Sequence, residues 1–353
     1  VNQQQRTVVQ FTEPRLVELV EAPVQALPAG HFRVRTWFSA ISAGTELTAY
    51  RGTNPYLEKT WDADRRLFVS GEPTFGYPVQ GWGYSEVGEV VEVAPDVSGP
   101  APGDVVAGIW GHRSEGVVPA DAPHWRKVPA GGDPLHGVFA RLGAIALNAV
   151  LAADARIGEN VAVFGQGVIG LLATQLARRS GARTFAVDAL PSRLELAGRL
   201  GATEVVRADH PGGAGPVIRE LTGGVGADSA IELSGSYRAL HEAIRSVVVD
   251  GKVVASSFYQ GEAEGLRLGE EFHHNRVQIL SSQIGSAPLL LGPRWNQRRL
   301  VTTFLDEVAS GGVRVSDLAS HVLDVDRVAD AFTLLDESPA DALLVVLRFP
   351  AAP

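Results

Sequence analysis

Residues 161–188 read VAVFGQGVIGLLATQLARRSGARTFAVD, and the punctuation of this stretch decides the fold. Four apolar residues at 161–164 have the look of a buried strand, the segment from 168 to 180 repeats apolar side chains at helical spacing, and Gly165-Gln166-Gly167-Val168-Ile169-Gly170 joins the two. Gly165 allows a tight turn, Gly167 lets backbone approach a pyrophosphate, and Gly170 lets the helix pack close to the strand. The helix start at Val168 and Ile169 offers free N–H groups and the positive end of the helix dipole to phosphates. Asp188 ends the next strand, 18 residues beyond Gly170, where a carboxylate accepts hydrogen bonds from both adenosine ribose hydroxyls and repels a 2′-phosphate. The pattern points to NAD. Arg193, placed to meet a 2′-phosphate, keeps NADP as the alternative.

Downstream, strand patterns at 184–187, 204–206, 229–232, 252–255 and 277–280 alternate with helical patterns at 193–200, 216–221 and 237–247. Repeated βαβ units imply a parallel sheet covered on both faces, so the fold class is α/β. Two further helices, at 298–310 and 326–338, precede a last strand at 342–348. Upstream, residues 6–50 alternate apolar and polar positions between turn signals and read as short strands. Residues 53–76 mix charge, aromatics, Pro and Gly without period, as in a long surface loop or lid. Between 87 and 109, two β-branched runs flank a Pro/Gly/Asp turn cluster, as in a barrel-like hairpin.

At 353 residues the chain is long enough for two domains. A hydrophobic fraction of 45% and a charged fraction of 20% exclude general disorder. The net charge of −9, without a Lys/Arg run, argues against nucleic-acid or anionic-membrane partners and leaves a small-molecule substrate. There is no cysteine, which removes disulfides, thiolate nucleophiles and every cysteine-containing zinc site. The first residues lack a signal-peptide pattern and no uninterrupted apolar run approaches ~18 residues, so a cytoplasmic location is expected.

The order of a β-rich first half, a nucleotide-binding unit past residue 140 and a short return segment resembles the medium-chain dehydrogenase/reductase superfamily over nearly the full length. GTE at 44–46 with YRG at 50–52, GEVVEV at 88–93, GDVVAG at 103–108, GQGVIG, RLELAGRLGA at 193–202 and GADSAIELSG at 226–235 carry the resemblance. FHHNRVQILSSQIG at 272–285 and PRWNQRR at 293–299 are similar to the branch of bacteriochlorophyllide dehydrogenase and threonine-dehydrogenase-like proteins. The resemblance implies a GroES-like β-barrel catalytic domain (1–142 and 284–353) and a Rossmann cofactor domain (143–283) with strand order 3-2-1-4-5-6. Substrate and nicotinamide would meet in the cleft between them. It also implies a homo-oligomer, with a dimer through the last cofactor-domain strand as first expectation.

The chain departs from the family's zinc enzymes at the ligand positions. Those positions are Ala43 before Gly44-Thr45-Glu46, Tyr84-Ser85 after Gly83, and Arg141 before Leu142-Gly143. Alanine and arginine cannot ligate zinc, and both family zinc sites are expected to be absent. Nine histidines remain, but His273-His274 sits beside a late strand and His112, His124 and His136 fall in loops, so no metal site is assigned. Arg141 and Tyr84 then become candidates to hold a substrate oxygen, Thr45 matches the family's hydroxyl relay, and Thr48 replaces the histidine that ends it. Glu46 orients neighbours or, unpaired in an apolar cleft, acts as a base; His112 is a candidate general base on its loop. Arg141 alternatively pairs with Glu46 or a helix end. For the nicotinamide end the resemblance carries over Ser234, Gly235, Ser256, Ser282 and Ile284. Tyr50, Trp82, Trp110, Arg294 and Trp295 are candidates for a substrate pocket or, equally, for core and interface packing.

The expected activity is zinc-independent, NAD-dependent interconversion of a secondary alcohol and a ketone on a polar ring-containing metabolite such as a sugar, cyclitol or natural-product intermediate. Two alternatives stay open: NADPH-dependent reduction of a quinone or enone double bond, and a catalytically silent nucleotide-binding scaffold.

Overall fold

The period-2 stretches at the start of the chain become β1 (Gln5–Glu13), β2 (Leu16–Pro23) and β3 (His31–Ala40). The alternation does not continue to residue 50. Helix α1 (Ala43–Arg51) begins there, opened by Ser42 and stopped by Gly52 in the left-handed region at φ 76°. Residues 53–76 are not a bare loop: β4 (Thr60–Asp62) and β5 (Leu67–Val69) pair as a small hairpin, with Trp61 and Phe68 rings 4.9 Å apart. β6 (Val79–Gln80), β7 (Glu86–Val93), β8 (Val105–Gly108), β9 (Glu115–Pro119) and β10 (Arg126–Lys127) follow, with β7 and β8 antiparallel as the turn cluster between them requires.

Next come α2 (Phe139–Ala153), β11 (Asn160–Phe164), α3 (Val168–Arg179), β12 (Arg183–Asp188), α4 (Pro191–Arg199), β13 (Glu204–Arg207), α5 (Ala214–Leu221), β14 (Ala227–Glu232), α6 (Tyr237–Ser246), β15 (Val247–Ala255), β16 (Gln278–Ser281) and α7 (Gln297–Ala309). β17 (His321–Asp324), which the sequence reading did not anticipate, α8 (Val328–Glu337) and β18 (Val345–Arg348) end the chain.

This computed structural model describes residues 5–285 and 291–353, and the chain divides into two compact units, Val1–Phe139 with Leu318–Pro353, and Ala140–Asp317. In the first unit, β18 inserts beside β3 and completes the sheet order β10-β8-β7-β3-β18-β17, with β9 also on β3; β2-β1-β6 form a second sheet. Phe11, Ile41, Phe332 and Phe349 centre one core of this unit, and Phe32, Val34, Val90 and Trp125 a second. In the second unit all six strands are parallel in the order β13-β12-β11-β14-β15-β16. That is the 3-2-1-4-5-6 order of the resemblance, over a core that includes Phe164, Phe185, Ile218 and Ile244.

The chain rejoins its first unit at Leu318, later than the expected residue 284. Packing explains the difference. Phe304 of α7 lies over Gly143 of α2 so closely that any Cβ at Gly143 would overlap the ring. The helical stretch Pro134–Ala153 is long and apolar enough for a membrane span, but 72% of its apolar window is buried, as in a core helix.

Candidate active site

The phosphate-binding turn has the geometry its sequence calls for. Gly165 lies at φ 85°, its N–H donates to Val187 O at 2.8 Å, and a Cβ there would stand 2.7 Å from the Ser234 backbone nitrogen. Gly170 faces the Gly165 carbonyl so closely that a side chain would overlap it, whereas nothing lies within 4 Å of a Cβ at Gly167. Gly167 opens α3 with no side-chain cap, which leaves first-turn amides at Val168 and Ile169 for a ligand. Asp188 is buried and accepts from Gln166 N at 2.6 Å and Leu190 N at 2.8 Å, so its carboxylate fixes the turn as well as ending β12. Arg193 is half-buried in the first turn of α4. An open glycine at an uncapped helix start beside a carboxylate fits a dinucleotide.

The strand ends beyond this turn hold a residue that the sequence reading passed over. Glu232, fully buried at the end of β14, accepts from Ser234 N at 2.7 Å, Gly235 N at 3.2 Å, the Ser234 hydroxyl and the Tyr259 hydroxyl. Burial pushes its carboxyl pKa up, against the lowering by those donors. Burial and the Glu232 charge together push the Tyr259 phenol up. Ser234 and Gly235 are therefore shaped by Glu232. Ser256 donates its N–H to Glu232 O, and its hydroxyl is sealed without a partner. Ser282 accepts from Asn148 Nδ2 at 2.7 Å, and Ile284 is buried. The acidic residue inside IELSG was the available signal for Glu232, since a carboxylate that ends a buried strand needs donors.

In the first unit four polar side chains from separate segments meet in full burial. His112 Nε2 lies 2.5 Å from Glu46 Oε2, its Nδ1 lies 2.6 Å from Ser39 Oγ, and Ser39 Oγ lies 3.2 Å from Glu86 Oε1. Glu46 Oε1 accepts the Ser42 N–H at 2.8 Å, and Glu86 Oε2 accepts the Trp110 N–H at 2.8 Å. With both imidazole nitrogens protonated every donor finds an acceptor: Nε2–H on Glu46, Nδ1–H on Ser39, and the Ser39 O–H on Glu86. Burial alone would lower the His112 pKa, but the charge and hydrogen bond of Glu46, aided by Glu86, raise it. Burial raises the Glu86 pKa, offset in part by His112 and the Trp110 N–H.

This arrangement corrects several expectations. His112, expected as a general base, is buried with both ring nitrogens engaged and has none free for a substrate. Glu46 is paired, and its partner is His112 instead of Arg141, whose Nη1 donates to Gln297 Oε1 at 3.1 Å. Thr48 is spent locally, donating to Thr45 O and accepting from Asn54 Nδ2. Above the buried network, at the N-terminus of α1, the hydroxyls of Ser42 and Tyr84 share a hydrogen bond, and Thr45 Oγ1 lies 3.5 Å from the Tyr84 oxygen. Thr45 and Tyr84 are half-buried, so this hydroxyl cluster reaches solvent where Glu46 and His112 do not.

Among the pocket candidates, Tyr50 is a core residue stacked on Phe332 at 5.5 Å, and Trp110 is buried with Nε1 on Thr36 Oγ1 at 2.8 Å. Both are packed in a core, the alternative that the sequence left open for them. Trp82 is half-buried against Phe75, Trp295 carries the Arg299 guanidinium 4.1 Å from its ring, and Arg294 is exposed.

Comparison with known proteins agrees with this architecture. The family profile "Zinc-binding dehydrogenase" matches residues 168–298. D-guloside 3-dehydrogenase of Shigella flexneri is 30% identical over 348 residues, covering 96% of this chain and 98% of that protein. The solved 2R,3R-butanediol dehydrogenase of Bacillus subtilis superposes with a TM-score of 0.79 at 21% identity, covering 97% of this chain and 99% of that one. An alcohol dehydrogenase of Escherichia coli CFT073, solved with NADH, gives 0.78 at 19% identity over 98% and 100%. The chain belongs to the medium-chain dehydrogenase/reductase family and is an oxidoreductase of that type. The matched profile segment does not include positions 43, 84 or 141.

Proposed function

We propose that the protein is a zinc-independent, NAD-dependent dehydrogenase that interconverts a secondary alcohol and a ketone on a sugar-like ring. The observation that carries the reading is the hydroxyl cluster of Ser42, Thr45 and Tyr84, backed by a buried ion pair, beside the positions that the resemblance assigns to the family's metal ligands. Ala43 and Arg141 have no zinc-binding atom. Asp188, at the end of β12, supports NAD over NADP, and similarity to a D-guloside dehydrogenase along nearly the whole chain supports a sugar-like substrate. The expectation of a homodimer, which rests on the resemblance alone, and that of a cytoplasmic location, which rests on the sequence pattern, are kept as part of this proposal.

Bound NAD supplies the acceptor for the hydride. The alcohol proton leaves through this chain's own groups: Tyr84 and Thr45 hold the substrate oxygen, the Ser42 hydroxyl orients that of Tyr84, and the half-buried Tyr84 and Thr45 hydroxyls relay the proton to bulk water, its final acceptor. In the reverse direction the Tyr84 phenol donates to the carbonyl oxygen. The free N–H groups at the start of α1 add positive potential near that oxygen. Glu46 and His112 act on the reaction only by fixing α1 and the loop that carries Tyr84.

The test is turnover of metal-stripped protein with NAD and a panel of glycosides and polyols. Oxidation without added metal is expected, and Tyr84→Phe should lower kcat by about 10²–10⁴-fold, the usual worth of a positioned proton donor. Activity that returns only on adding zinc, or full turnover by Tyr84→Phe, overturns the proposal.

A further inference from the structure

A second cluster lies in the other unit, apart from the phosphate turn. His241 sits midway along α6 and faces a π-helical turn, Leu268–Phe272, that breaks at Glu270, where φ is −97° and ψ is −125°. The break sets Glu270 and Glu271 against the same imidazole. One nitrogen of His241 and one carboxylate oxygen from each glutamate lie within 4.8 Å of one another, at the wall of an open cavity of about 540 Å³.

Hydrogen bonding in this cluster is incomplete. His241 is 9% exposed; its Nδ1 is sealed without a partner, and its Nε2 stands 3.8 Å from Glu270 Oε2, too far for a hydrogen bond. Glu271 Oε2 is also sealed and has no partner. The neighbouring guanidinium groups engage the other oxygens. Arg245 Nε reaches Glu271 Oε1 at 3.3 Å, and Arg267 Nη1 reaches Glu270 Oε1 at 3.6 Å. Arg245 is also bound by Glu242 at 2.6 Å. A buried histidine and a sealed carboxylate oxygen, both lacking donors or acceptors, are costly unless something else fills the gap.

We propose that His241, Glu270 and Glu271 bind a divalent transition-metal ion of the zinc type. One borderline imidazole nitrogen and two harder carboxylate oxygens form a donor set that Zn²⁺ or Co²⁺ accepts, and water from the cavity completes the coordination. The arginines hold one oxygen of each carboxylate, which leaves the other to turn toward the metal. Ligand atoms around one ion stand roughly 3–3.5 Å apart, given bonds of about 2.1 Å, so binding draws the three side chains together and clamps α6 to the turn. The site is separate from positions 43, 84 and 141, and it does not depend on the zinc-independent chemistry proposed there.

The test uses the full chain stripped of metal and titrated with Co²⁺, followed by visible absorption and calorimetry, and then with Zn²⁺ as competitor. One ion per chain is expected, with a rise in Tm of several degrees. His241→Gln and Glu271→Gln should each weaken binding at least tenfold while NADH affinity and far-UV circular dichroism stay unchanged. Glu271→Gln keeps the side-chain shape and so separates lost ligation from misfolding. Failure of the wild type to bind Co²⁺ or Zn²⁺ stoichiometrically overturns the proposal, as does binding that both variants retain, since the ion then sits elsewhere.

Discussion

Each unit of the protein buries a glutamate at a strand or helix end beside its chemistry, and Glu46 of the first and Glu232 of the second are held in opposite ways. Glu46 in the first unit faces an imidazole at 2.5 Å, whereas Glu232 in the second is held by two amides and two hydroxyls. A charge-paired carboxylate and its histidine stand or fall together, because removing either leaves the other uncompensated in a dry interior. A carboxylate held by neutral donors is a template for a loop, and its own ionisation opposes its burial. The first arrangement ties together segments distant in sequence; the second shapes one short turn.

Removing the cation is the strongest way to break this comparison. His112→Ala should lower stability by about 3–5 kcal/mol, the usual cost of orphaning one member of a buried pair, read from urea unfolding. A cost below about 1 kcal/mol would mean that the network contributes no coupling. The pH dependence carries the same information. The folded His112 pKa lies above its ordinary 6.5, so its stabilisation is complete below pH 6.5 and is lost as pH rises through the folded value, at up to about 1.4 kcal/mol per unit. Glu86, whose pKa is raised above 4.5, adds a decline that starts lower. The part above pH 6.5 that disappears in His112→Ala is the histidine's.

The two regions also differ in how much of them the sequence disclosed. GQGVIG and Asp188 lie within one βαβ unit, and local chain geometry obliges them to meet, so the turn could be read directly, whereas the strand order came from the family resemblance. The buried network draws on positions 39, 46, 86 and 112, which meet only because Ser39 pairs across the sheet with Glu86 and the loop after β8 folds back over α1. Nothing local in GTEL or WGHR states that pairing. The aromatics misled for a related reason: Tyr50 and Trp110 present the same flat face and polar tip whether they line a pocket or fill a core. His241 and Glu271, 30 positions apart, were invisible for want of any spacing motif.

A smaller effect sharpens the reading of the phosphate turn. Gly170→Ala places a methyl against the Gly165 carbonyl and should cost about 1–3 kcal/mol of stability together with NADH affinity. At Gly167 the backbone φ is −69° and the space is open, so Gly167→Ala should leave the Tm within a degree or two while still weakening NADH binding. Unchanged affinity in Gly167→Ala would show that no ligand backbone approaches there, and the turn would be a packing device only.

The smallest expected effect is at Glu232. Glu232→Gln preserves shape but replaces one acceptor oxygen by an NH₂ group. The Ser234 and Tyr259 hydroxyls can rotate to accept, whereas an amide N–H cannot, so one backbone donor at Ser234 or Gly235 loses its partner, for a net cost of about 1 kcal/mol. The sign of the pH dependence is the sharper test. Because the folded Glu232 pKa is raised above 4.5, the wild type loses stability as pH climbs from 4.5 through the folded value, and the neutral glutamine does not. The variant's deficit should therefore be greatest near pH 4.5 and shrink by pH 8, in a window that opens about two units below that of His112. A deficit that instead grows with pH would show that the donors favour the ionised carboxylate over the burial that opposes it, and the two glutamates would then be held by charge alike.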